Sequence, residues 1–100
     1  MTGASPSDLA VTFTSVPRRL REAQGSVPDS VVAGPAAQLG ALLVEAGRLL
    51  STSADPLALA AAVSSVHPDD WDEAVLIRLR EIALDVGRLL RRIAALADTA

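Results

Sequence analysis

Near the C-terminus, hydrophobic residues recur at alternating steps of four and three: Val75, Leu79, Ile82, Val86, Leu89, Ile93 and Leu96. An α-helix turns once per 3.6 residues, so this spacing draws one stripe along a single long helix, in consecutive a and d positions of a heptad. Charged residues fall mostly elsewhere, as Arg78, Arg80, Glu81, Asp85, Arg88, Arg91 and Arg92. Apolar surface of that length is costly in water and must be covered by protein. The chain is therefore expected to pack helix on helix.

The rest of the sequence supports that constraint. A chain of 100 residues is one domain and buries roughly two-thirds of its unfolded surface. Half of the residues are hydrophobic, yet Phe13 and Trp71 are the only aromatics. The core must come from Leu, Val, Ile and Ala, which suits packed helices. Strand signals are poor, because β-branched residues rarely alternate with polar ones and no Asn-Gly or Asp-Gly hairpin turn occurs. The expected fold is all-α: a small antiparallel bundle of about four helices over residues 1–100, with residues 1–6 disordered.

Start and stop signals place the helices. The first runs from about Ser7 to Gln24, closed by Gly25, with Leu9, Phe13, Val16, Leu20 and Ala23 on one stripe. Pro17 removes an amide within it, but the apolar phase continues across the proline, which predicts a kinked helix rather than two. Asp29 or Ser30 caps a second helix running to about Ser51, with Gly34-Pro35 delaying its regular start. A short third helix opens at Pro56 behind the cap Asp55 and ends near Val66. The long fourth helix is predicted from Pro68 to about Asp98, with Asp69 and Asp70 facing the positive end of its dipole.

An offset of 40 positions superimposes Leu39, Leu42, Ala46, Gly47 and Leu49 on Leu79, Ile82, Val86, Gly87 and Leu89. Generic Ala/Leu-rich amphipathicity explains this better than duplication. The fourth helix, at about 29 residues and roughly 43 Å, outruns the second at roughly 30 Å. Either the first helix covers the excess or a second copy does, and a homodimer is the expected answer.

Composition excludes several function classes. Without cysteine there is neither a disulfide framework nor a Cys-based zinc site. A net charge of −3 gives no general attraction to nucleic acid or anionic membrane. No secretory leader or apolar run of about 20 residues is present, so the expected location is the cytoplasm. All cations are arginine and alanine is abundant, a codon-usage pattern of GC-rich bacteria without functional content.

No catalytic, cofactor or metal site is expected. His67 with Asp70 and Glu73 is too thin a ligand set for a metal. Ser64, Ser65 and His67 lie within one turn, whereas catalytic groups converge from separate elements. The arginines of the fourth helix are interleaved with Glu81 and Asp85, and no nucleic-acid-binding motif accompanies them. The chain's size and lack of cysteine invite comparison with the Trp-x-Gly helical hairpins exported by type VII systems. Here Trp71 is followed by Asp72 and Glu73 and tyrosine is absent, so the defining turn and export signal are missing.

Candidate interface residues are Trp71, Ile77, Leu84, Val86, Leu89, Ile93 and Leu96. Ile77 and Leu84 stand out because they lie seven apart on the outward side of the fourth helix, where polar residues are expected. The expected function is a non-enzymatic helical protein–protein interaction module that self-associates and docks a protein partner through apolar helix faces. The alternatives are a regulatory domain binding an apolar ligand between helices near Trp71, and a leaderless secreted helical hairpin.

Overall fold

The computed structural model describes residues 5–100, which form four α-helices and two single turns of 3-10 helix, with no strand among them. Helix α1 spans Pro6–Gln24, α2 Ala33–Leu49, α3 Pro56–Ser65 and α4 Glu73–Thr99. α4 is the wall shared by α1 and α2 in this all-α bundle. α1 packs on α3 and α4, whereas α2 packs on α4 and barely meets α3. The molecule measures 46 × 29 × 18 Å, and α4, with 27 residues, supplies most of the long axis at roughly 1.5 Å per residue.

α1 begins with a reciprocal cap. The Ser5 hydroxyl accepts from the Asp8 amide, and the Asp8 carboxylate accepts from the Ser5 amide, each at 3.2 Å. Ser5 and Pro6, expected to be disordered, thus open the helix, while residues 1–4 of that expectation lie outside the described residues. Pro17 stands inside one uninterrupted helix with its ring exposed. Leu9, Phe13 and Val16 are buried on the neighbouring stripe, and their packing holds the helix together across the lost amide. At Gly25, φ of +59° ends the helix, and the Gln24 side chain donates to the Val27 carbonyl and to Asp29.

Asp29 therefore does not cap α2. It opens a turn of 3-10 helix, Asp29–Val31, and Val32 occupies the cap position without a side-chain bond. α2 starts at Ala33 rather than Pro35. First-turn amides have no intrahelical partner, so Pro35 forfeits nothing there. The helix ends two residues earlier than expected, in a Schellman motif: the Thr52 amide donates to the Gly47 carbonyl at 2.8 Å and the Ser51 amide to Arg48. Ser51 takes the left-handed conformation this requires, at φ 55°. α3 is capped by Asp55 as expected, through the Ala58 amide.

The start of α4 differs most from expectation. Pro68–Asp70 form a separate 3-10 turn, capped by the His67 ring nitrogen accepting from the Asp69 amide. Trp71 and Asp72 are extended, and Asp72 caps α4 through the amides of Ala74 and Val75. Trp71 thereby leaves the helix, and its indole packs against the core. Past that point α4 runs unbroken through Gly87.

The core joins Leu9, Phe13, Leu59, Val63, Leu79, Ile82 and Val86, all at most 1% exposed. Burial of each such large side chain contributes roughly 1.5–3 kcal/mol before conformational entropy is counted. The α4 stripe from Leu79 to Ile93 is buried within one molecule, because α1 and α2 lie against the same helix. The mismatch in helix length thus requires no second copy.

Candidate protein-interaction face

The predicted interface residues separate into two groups. Val86 and Ile93 are fully buried, Leu89 is nearly so, and Leu96 is half-buried, so this seam is spent on the chain's own core. Ile77 and Leu84 face outward and are 48% and 66% exposed. Trp71 belongs to neither group. It is half-buried in a separate hollow of about 250 Å³ beside Leu50, Val66 and Val75, and its indole Nε1 is buried without a hydrogen-bond partner.

Leu84 lies on the outward side of α4, in a hollow that borders a surface built jointly by α2 and α4. The two helices run antiparallel, so Glu45 meets Arg78 at one end of their contact while Gln38 and Ala41 lie near Arg88 at the other. Between them is a groove of about 410 Å³ floored by Ala41, Leu42 and Leu89. A second hollow of about 350 Å³, around Leu84, shares its Asp85 and Arg88. The two depressions therefore form one continuous face. Val44, 43% exposed, is a further uncovered aliphatic side chain of α2.

The charges on this face are paired in place. Arg78 forms a two-pronged bond to Glu45, with Nε–Oε2 at 2.5 Å and Nη2–Oε1 at 2.7 Å, and also reaches Glu81 at 3.4 Å. The hydrogen bond from Arg78 holds the Glu45 carboxyl below its ordinary value, and the same bond keeps Arg78 firmly charged. Asp85 pairs with Arg88 at 3.2 Å. With their acids this close, these arginines are weak anion receptors. What remains available is aliphatic surface between neutralised charges, which suits another protein surface.

Two of the other polar residues singled out by the sequence are occupied locally. Ser65 donates to the Ala62 carbonyl at 2.8 Å, and His67 serves the 3-10 turn. Among the described residues, no three His, Cys, Asp or Glu side chains are grouped to hold a metal, and no helix is long and apolar enough to cross a membrane. Sequence reasoning missed Val44 and Glu45. The 40-position offset did hold a signal for Val44, because it places that residue at Leu84. No protein-family profile, curated protein or solved structure matches the chain.

Proposed function

We propose that this protein is a non-enzymatic interaction module that self-associates, and docks protein, through the face shared by α2 and α4. One observation carries the reading: Leu84 stands 66% exposed on a face whose neighbouring charges are already paired with one another. Aliphatic side chains flanked by neutralised charge lose little on desolvation and gain roughly 25 cal/mol per Å² of apolar area covered. The hydrophobic seam does not contribute, since it is folded inward. Size-exclusion chromatography with light scattering tests the reading. The wild type is expected to associate as concentration rises, and Leu84→Glu or Ile77→Glu to remain monomeric while keeping the same helical circular dichroism. A wild type that stays monomeric at millimolar concentration overturns it.

The alternative of a small apolar ligand draws on the hollow beside Trp71, whose indole N–H lacks a partner. Trp71 is the sole tryptophan, so its fluorescence reports directly. A saturable spectral shift with an aromatic or lipid-like compound favours this second reading, and a flat response removes it.

A further inference from the structure

Ile77, Glu81, Leu84, Arg88, Arg91 and Ala95 are all exposed, and they follow one another along α4 at steps of four and three. They form a second heptad seam on the side of α4 turned away from the core. Two-stranded helical pairs bury such a seam, and the residues that meet across it depend only on orientation and register. The identity of these six residues selects among the possibilities.

A parallel pair sets each residue against its own copy, so Glu81 meets Glu81, Arg88 meets Arg88 and Arg91 meets Arg91. That orientation joins no opposite charges and sets like against like, most severely at Arg91, because Glu81 and Arg88 already have intramolecular partners in Arg78 and Asp85. In an antiparallel pair with its two-fold axis at Val86, the midpoint of Glu73–Thr99, the two helices overlap along their whole length. Glu81 then lies opposite Arg91 of the other copy, Leu84 opposite the aliphatic stem of Arg88, and Ile77 opposite Ala95, each twice by symmetry. Asp85 of each copy falls near the axis, neutralised by its own Arg88 at 3.2 Å. Sliding the register by one heptad in one direction opposes Arg88 to Arg91 and Glu81 to Asp98. Sliding it in the other sets Glu81 against Leu84 and leaves no ion pair. Only the full-overlap register joins opposite charges and covers both large aliphatic side chains.

From this we infer that the occupant of the face is a second copy of the chain, held as an antiparallel α4–α4 dimer by Glu81–Arg91 pairs on either side of a Leu84–Arg88 centre. This inference rests on the reading of the face as a self-association surface and adds its partner, orientation and register. Charge exchange tests it on the full chain by sedimentation equilibrium. Glu81→Arg and Arg91→Glu are each expected to weaken the dimer by about tenfold or more, and the double variant to return it to near wild-type affinity. Circular dichroism checks that each variant keeps its fold. The chain contains no cysteine, so an equimolar mixture of Ile77→Cys and Ala95→Cys proteins gives a second readout. Oxidation should yield the mixed disulfide in preference to the Ile77→Cys homodimer.

A dimer that ignores both single charge changes, a double variant that fails to recover, or a dominant Ile77→Cys homodimer overturns the inference. If Leu84→Glu still abolishes association in those cases, the face stands and only its register falls. A monomeric wild type removes both.

Discussion

At the residue scale, Gly47 and Gly40 show how one residue type serves two purposes on α2. A Cβ at Gly47 would lie 2.8 Å from the Thr52 carbonyl oxygen and 3.0 Å from that of Ser53, both backbone atoms of the loop that folds over the helix end. The same loop bonds the Gly47 carbonyl through the Thr52 amide, so it has little freedom to retreat. Gly47→Ala is expected to destabilise the protein by about 1–3 kcal/mol, the cost of overpacking. Gly40 faces open space, with nothing within 4 Å of an added Cβ. There Gly40→Ala is expected to stabilise by roughly 1 kcal/mol through helix propensity alone. Urea denaturation of the two variants beside the wild type measures both effects. The sequence shows Gly40 and Gly47 alike inside one helix; only the returning loop distinguishes them.

At the scale of elements, α1 was legible to within a residue at each end and α4 at its C-terminal end, whereas the start of α4 was not. The four-three spacing located both helices because burial of a stripe follows directly from helical periodicity. The start of α4 depends on which of several capping residues prevails. His67, Asp69, Asp70 and Asp72 all compete within one short stretch, and Asp72 caps α4 while the extended Trp71 packs its indole on the core. Asp72→Ala is expected to cost about 1 kcal/mol, a typical value for a lost N-cap. Pro17 offers the converse change. It is exposed within α1 and leaves the Phe13 carbonyl without its amide partner. Pro17→Ala is expected to raise stability by about 1–2 kcal/mol, the restored hydrogen bond and relief of the ring outweighing the looser unfolded chain. Thermal unfolding followed by circular dichroism reports both.

At the scale of the whole molecule, the Arg78–Glu45 pair links α2 to α4 and makes their docking sensitive to acid. The Glu45 carboxyl sits below its ordinary value of 4.5 in the folded protein, so at falling pH the unfolded chain takes up this proton first. Its contribution is therefore fully present above about pH 4.5 and is lost as pH drops through the lower folded value. Glu45→Gln is expected to be less stable than wild type at pH 7, with the difference narrowing as pH falls below about 4.5, which urea midpoints along a descending pH series compare. This pair was not legible in the sequence. A salt bridge across 33 positions exists only once two helices have taken one register against each other. The seam from Val75 to Leu96 and the outward pair Ile77 and Leu84 were both visible as apolar spacing, and spacing alone could not say which of them the fold would leave exposed. The sequence by itself determined that the molecule is all-α, where its helices lie and which stripe of each is apolar, because those properties follow from local periodicity and composition. The tertiary structure decided that α1 and α2 both pack on α4 and bury its main stripe within one molecule. That outcome depends on contacts between distant segments, and those contacts leave the second stripe of α4 exposed.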